Sequence, residues 1–503
     1  MFKKILIANR GEIAVRIIRA CRDMGISPAV VYSTADRESL AVKLCDEAYW
    51  LGEAASLESY LAIDKIIDAA SRCQADAIHP GYGFLAENEE FARACQDSAV
   101  TFIGPSAASI QLMGDKISSR TAVKKAGVPV VPGSERGLDS PQEGLSLAAE
   151  IGYPVMLKAS AGGGGKGLRL LRNEAQFRSI YETARSEAGS SFGDSTVYLE
   201  KYIERPRHIE IQLVGDRHAN LVHLGERECS VQRRHQKLVE ECPSPMANPP
   251  FRRSLGEAAL AVARAVDYYG AGTVEFLVDA GEQAKSPPFY FLEMNTRLQV
   301  EHPVTEMVTG IDLVREQIRV AAGEELGYRQ EDVHLRGSAL ECRIYAEDPQ
   351  DGFKPSPGVI SSLFEPSGPG IRNDSGVHAG AAVPLDYDPL ISKLVAHGQD
   401  RSQAICRMRR ALGEYKISGV RTTIPFFEAL LAHPAFLRGD LHTHFIEEHR
   451  LTESVNDDSL DTVPLCAAAL SFFATRRPQA PRRRGRSSSW RNYGKFDRRM
   501  GTW

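Results

Sequence analysis

The sequence predicts a mixed α/β and α+β chain that opens on a doubly wound α/β domain and continues into β-rich α+β segments. Three observations carry that reading. The first hundred residues repeat a strand-helix-strand rhythm. From about residue 114 strands follow strands with few helices between them. The length of 503 residues, 43% of them hydrophobic, supplies about three domains of roughly 150 residues each, with ample material for their cores.

At the N-terminus KKILIA reads as a strand, Asn9-Arg10-Gly11 as a turn, IAVRIIRACRDMG as an amphipathic helix and SPAVVYS as a second strand. Ile13, Ile17, Ala20 and Cys21 recur at helical spacing, and Val30 and Val31 add strand-forming bulk. A second unit follows: helix YLAIDKIIDAASRC, strand ADAIHP, helix FARACQ and strand VTFIGP. Residues 1–113 are therefore expected to form the doubly wound domain.

The next helix is DKISSRTAVKKAG, ending in GVPVVPG. Strands YPVMLKA, GLRLLR and TVYLEKYI then surround a helix at NEAQFRSIYETARSEA. HIEIQLVGD, NLVHLGERE, the helix RRSLGEAALAVARAVDYYG and the strands GTVEFLVDA and FYFLEMN carry the pattern to about residue 330. From SALECRIYAED a further α+β piece runs to about 446, with PSPG, GPG and SGVHAG turns and helices at RSQAICRMRRALGEY and IPFFEALLA. Residues 450–503 pass from the acidic ESVNDDSLDT to an arginine-rich stretch and read as a solvated, disordered tail.

The charge is close to balance, 61 basic against 65 acidic residues, so the field of the whole molecule favours neither nucleic acid nor an anionic membrane. Nine scattered cysteines, without a C-x-x-C pair or a histidine at zinc-ligand spacing, read as reduced core thiols of a cytosolic protein. The run before Asn9 is too short for a signal sequence and no apolar run reaches the roughly 18 residues of a membrane span, so a cytoplasmic location is expected.

Chemistry gathers in three stretches. KASAGGGGKGLR, Lys158 to Arg169, satisfies G-x-G-x-x-G literally, but a strand follows it where a dinucleotide site needs a helix. Gly167 after Lys166 also removes the Ser or Thr of a Walker A loop. What remains is a glycine hairpin whose backbone N–H groups can cover triphosphate oxygens, with Lys158 as a point charge, against a plain flexible connector. In FYFLEMNTRLQVEHP, strand periodicity would put Glu293, Asn295 and Arg297 on one side, with Gln299 and Glu301 continuing it if the chain stays extended. Glu275 is a second acid inside an apolar strand, and two such acids on adjacent strands could hold Mg²⁺. In ERECSVQRRHQKLVEE, Gln232, His235 and Lys237 come close together, with His235 and Lys237 expected on one strand face. Arg343 stands between Cys342 and Ile344, either paired with a nearby acid or aimed at a developing anion.

Taken in order, IANRGEIAVRIIRA, HPGYGFLAEN, FIGP, MGDK, KASAGGGGKGLR, ERECSVQRRHQKLVEE, GAGTVEFL, EMNTRLQVEHPVTE, ECRIYAEDP and PSPG resemble the biotin carboxylase family of biotin-dependent carboxylases. The resemblance spans residues 3 to about 446. It implies an ATP-grasp fold: an N-terminal doubly wound domain (1–113), an ATP-grasp domain (114–330) with a mobile glycine-rich lid at about 130–203, and a C-terminal α+β domain (331–449). The sequence departs from the pattern in GEQAKSPP, a longer hairpin loop, and in Lys166, where some relatives have Arg.

For the site, the resemblance implies that Lys116, Lys158, Gly164, Gly165, His208, Gln232 and His235 contact ATP, with Glu200, Lys201, Tyr202 and Ile203 against the adenine. Glu275, Glu293 and Asn295 would hold Mg²⁺ or Mn²⁺. Lys237, Arg297, Gln299 and Val300 would position bicarbonate, Glu301 would deprotonate it, and Arg343 would stabilise the biotin enolate. The implied reaction is ATP-dependent carboxylation of biotin through carboxyphosphate, with the lid excluding water. The sequence lacks an A-M-K-M or V-M-K-M biotin attachment motif, so biotin is expected on a separate carrier protein, with separate carboxyltransferase subunits. An acetyl-CoA or other acyl-CoA carboxylase feeding fatty acid synthesis is the expected setting; a split pyruvate carboxylase or a catalytically silent ATP-grasp module is the alternative. Relatives also suggest a homodimer.

Overall fold

A computed structural model describes residues 1–134, 136–159, 168–279, 287–453, 466–467 and 470–472. The chain divides into two units, Met1–Val455 and Asn456–Trp503; of the second, residues 466–467 and 470–472 are described, and they are helical.

The first unit opens on a parallel five-stranded sheet made of β1 (Lys4–Ile7), β2 (Ser27–Ser33), β3 (Glu47–Gly52), β4 (Ala77–His79) and β5 (Thr101–Phe102), in the order β3-β2-β1-β4-β5. Ile5, Leu6 and Ile7 are all buried because helices cover both faces of the central strand. The helix Gly11–Asp23 follows β1 directly and buries Ile13, Ile17 and Cys21, the face its periodicity predicts. β3 is not among the strands expected from the sequence: EAYWLG alternates exposed with half-buried residues at the sheet edge and lacks the apolar run of its neighbours.

A three-stranded antiparallel sheet of β6 (Val155–Ala159), β7 (Leu168–Leu171) and β8 (Val197–Lys201) lies with β6 in the middle. It packs Val155, Leu157, Leu171 and Leu199 against Phe177 and Tyr181 of the helix Glu174–Phe192.

The largest sheet has eight strands. In chain order they are β9 (Pro206–Gly215), β10 (Leu221–Arg233), β11 (Gln236–Cys242), β12 (Gly270–Asp279), β13 (Phe289–Asn295), β14 (Ser338–Tyr345) and the segments Ile371–Ser375 and Leu390–Gly398. Their order is β13-β12-β9-β10-β11-β14, then Leu390–Gly398, then Ile371–Ser375. The pairing of β11 with β14 carries the sheet without interruption across residue 330, where the sequence suggests a boundary. On β9 the period of two sorts the chain chemically. Ile209, Ile211 and Leu213 pack with Phe251, Leu255 and Ala259 of the helix Pro249–Arg264, while His208, Glu210 and Gln212 face the other way.

Candidate active site

The polar face of the large sheet floors a cleft of about 1410 Å³, which is walled by the first domain and by the β6–β8 sheet. Two antiparallel strand pairs set its centre. β12 and β13 place Glu275 directly opposite Glu293, and β12 and β9 place Glu275 opposite Glu210, so three carboxylates lie side by side across adjacent strands. Such a row is stable only with cations among it. Lys237 supplies one. Its Nζ lies 2.5 Å from Glu210 Oε2, 2.9 Å from Glu275 Oε1 and 2.6 Å from Glu301 Oε1. Burial alone would lower the Lys237 pKa, but these three acids hold it well above the usual lysine value.

Glu275 also accepts from Asn295 Nδ2 at 2.9 Å and Gln299 Nε2 at 3.0 Å, and its Oε2 lies 2.8 Å from His208 Nε2. Burial opposes its ionisation, yet Lys237 and His208 hold the carboxyl well below the usual range. Glu293 is pushed the other way, upward, first by the charge of Glu275 and then by burial. Glu275 and Glu293, in register on adjacent strands, offer the carboxylate oxygens a hard divalent cation takes, while Asn295 meets Glu275 through its Nδ2 and its Oδ1 accepts from Arg297.

Glu301 lies beneath the cleft wall, fully buried, with its two oxygens divided between two cations: Oε1 to Lys237, and Oε2 to Arg343 Nη2 at 2.9 Å. Burial would raise its pKa, but Lys237, Arg343 and Arg227 outweigh burial and hold it well below the usual carboxylate value. The Nε of Arg343 donates to Glu240 Oε1 at 2.6 Å. Arg297 spans Asn295 Oδ1 at 2.9 Å and Gln299 Oε1 at 3.0 Å, and its Nε donates to Glu87 Oε2 at 2.7 Å.

Lys116, Lys158, Glu200, Lys201, Tyr202, Ile203, His208, Gln232 and His235 all line the same cleft, as do Gln299 and Val300. Glu200 is held between Arg120 and Lys158. Gly164 and Gly165, with the rest of the glycine loop from 160 to 167, lie outside the described residues, and so do Ala280 and residues 281–286 of the GEQAKSPP loop.

Two local expectations are corrected. His235 does not share a strand face with Lys237, because Arg234 and His235 form the β10–β11 turn with φ of 49° and 67° and only Lys237 is on the strand. Nor does the chain stay extended to Glu301. β13 ends at Asn295, and Glu301 is the residue from which the helix His302–Thr309 starts. The side chains of Asn295, Arg297 and Gln299 meet through hydrogen bonds across this turn rather than through strand alternation.

The structure adds Glu87, Glu210, Glu240 and Arg120 to the site. Glu210 carries the same signal as Glu275, an acid between two apolar residues in a strand, and could have been found by it. Glu240 stands in an EE pair of a strand, and Glu87 and Arg120 give no local signal, because the charged partners Arg297 and Glu200 are 210 and 80 residues distant in sequence.

Comparison with known proteins places these residues in a family. The family described as "Biotin carboxylase, N-terminal domain" matches residues 1–110, "Carbamoyl-phosphate synthase L chain, ATP binding domain" matches 115–329 and "Biotin carboxylase C-terminal domain" matches 341–448. The chain is 55% identical over 447 residues to a biotin carboxylase of Nostoc sp., covering 89% of this chain and 99% of that one. It is 54% identical over 450 residues to a pyruvate carboxylase subunit of Methanothermobacter thermautotrophicus, covering 90% of each. The crystal structure of the biotin carboxylase domain dimer of Hydrogenobacter thermophilus 2-oxoglutarate carboxylase, in complex with MgADP, ADP and bicarbonate, superposes with a TM-score of 0.85. It is 49% identical and covers 91% of this chain and 100% of that one.

Proposed function

The chain belongs to the biotin carboxylase family of ATP-dependent carboxylating ligases, and from that membership and the chemistry of the cleft we propose that it carboxylates biotin on a separate carrier protein with ATP and bicarbonate. The observation that carries the proposal is the Glu301 carboxylate, buried beneath the cleft wall and shared between Lys237 and Arg343, with Arg297 held nearby.

Bicarbonate is a weak nucleophile, so the cleft has to hold it in line with the γ-phosphate and take its proton. Lys237 and Arg297, with Gln299 and the backbone of Val300, hold the anion, and Glu301 accepts the proton once bicarbonate competes for its cations. Oxygen of bicarbonate attacks the γ-phosphorus, the bond to ADP breaks, and carboxyphosphate forms. Lys116, Lys158 and His208 would meet the phosphates and Glu200 to Ile203 the adenine; all of them line the cleft. Glu275, Glu293 and Asn295 are the donors for Mg²⁺ or Mn²⁺, which would neutralise phosphate charge. Carboxyphosphate breaks down to CO₂ and phosphate, the phosphate takes the proton from biotin N1′ while Arg343 faces the ureido oxygen as negative charge develops, and N1′ then bonds to the carbon of CO₂ to give carboxybiotin.

The test is ADP release with bicarbonate present or absent and free biotin present or absent. Bicarbonate-dependent release stimulated by biotin is expected; no stimulation at saturating ATP and Mg²⁺ would point to a different ATP-grasp reaction. For the final acceptor we favour an acyl-CoA carboxylase. The likeness to a 2-oxoglutarate carboxylase domain and to a pyruvate carboxylase subunit supports a keto-acid acceptor as the second reading. Carboxyl transfer to acetyl-CoA or to pyruvate, measured with the cognate carrier and carboxyltransferase, separates the two.

A further inference from the structure

Lys393 is fully buried in the strand Leu390–Gly398 and has no part in the chemistry proposed above. It lies directly across from Arg343 in the pairing of that strand with β14, so both cations stand on one face of the sheet. Their targets are consecutive residues. Arg343 Nη2 reaches the carboxylate of Glu301, and Lys393 Nζ donates to the main-chain carbonyl of Val300 at 3.0 Å. The same Nζ lies 3.2 Å from Glu12 Oε1 in the first domain and 4.0 Å from Asp374 Oδ2, and it sits 5.7 Å from the centre of the Tyr82 ring.

We propose that Lys393 is a positioning residue for bicarbonate: by fixing the Val300 carbonyl it sets the turn that presents Gln299, the Val300 amide and the Glu301 carboxylate, and through Glu12 it ties that turn to the first domain. The physical reason is cost. Burying an ammonium group is expensive, and an apolar side chain of similar length would fill the space without that penalty. The lysine is accounted for by the carbonyl it holds together with the Glu12 carboxylate, because Val300 lies in the stretch between the end of β13 at Asn295 and the helix His302–Thr309, where no regular backbone ladder fixes it. A main-chain displacement of a fraction of an ångström at this turn moves the bicarbonate contacts and leaves the distant nucleotide contacts in place.

The inference rests on the proposed bicarbonate role of Gln299, Val300 and Glu301, and the experiment separates the two. With the full chain, bicarbonate-dependent ADP release is measured for wild type, Lys393→Met and Lys393→Gln, with bicarbonate and ATP varied independently. Wild type without bicarbonate dependence would defeat the functional reading itself. Given wild-type activity, either folded variant should show a bicarbonate KM raised about tenfold or more, with the ATP KM within about twofold of wild type. An unchanged bicarbonate KM, or both KM values rising together, would overturn the positioning role. Failure of both variants to fold would assign Lys393 to the fold alone and overturn it equally.

Discussion

Glu301 depends on its neighbours in both directions: Lys237 and Arg343 keep it ionised, and it in turn neutralises two buried cations. Glu301→Gln should therefore lower bicarbonate-dependent ADP release by about 100-fold or more, the scale of a lost general base, while nucleotide affinity changes little. The same variant should unfold more readily, by about 3 kcal/mol, since Lys237 and Arg343 each lose a charged partner; denaturant titration reads this directly. A second residue-scale prediction concerns Glu87. It accepts from Arg297 Nε at 2.7 Å and from the Thr296 amide at 2.9 Å. Glu87→Gln should raise the bicarbonate KM by about tenfold, measured in the same assay, because a charge-assisted hydrogen bond that aims the guanidinium is weakened. Most of the acids and bases of the cleft are legible in the sequence, since charged groups at alternate positions of an apolar strand have no place in a core. Glu87 is not, because it matters only through a contact with Arg297 that the chain makes after folding.

Among the elements, β13 shows where periodicity stops being informative. Alternation correctly sets Glu293 and Asn295 on one face, but nothing in NTRLQVEHP marks the strand end; the turn is fixed by Arg297, Gln299 and Lys393 through side-chain bonds. The strands Leu390–Gly398 and Ile371–Ser375 likewise escape a pattern-based reading, because SKLVAHG mixes a buried lysine into its apolar run. Their position has a testable consequence at Gly376. A Cβ there would collide with the backbone of Gly11 and Glu12, where the first helix begins. Gly376→Ala should cost about 1–3 kcal/mol, seen as a lowered thermal midpoint.

For the molecule as a whole, stability should depend on pH in two opposed ways. Glu12, between Lys393, Asp374, Arg372 and Tyr82, has its carboxyl pushed up to about 7 by burial, against the pull of Lys393. Between its ordinary value of 4.5 and about 7 the folded chain holds a proton that the unfolded chain has released, so stability falls as pH rises through this window and levels off above it. Glu275 and Glu301 behave oppositely. Their contribution is full above the ordinary carboxylate value and is lost as pH falls through their depressed folded values. Glu12→Gln should accordingly gain on wild type by about 2–3 kcal/mol between roughly pH 5 and pH 8 in chemical denaturation.

The eight-stranded sheet also bears on how the chain is made. β11 ends at Cys242, but its partner β14 begins only at Ser338. At about 5–20 residues per second a ribosome would leave the outer edge of β11 without its native neighbour for on the order of ten seconds. During that interval Val239 to Cys242 present open N–H and C=O groups, a template for pairing with another nascent chain. Slowing translation between residues 242 and 338 should raise the fraction recovered as aggregate, and a chaperone that shields strand edges should reverse the loss.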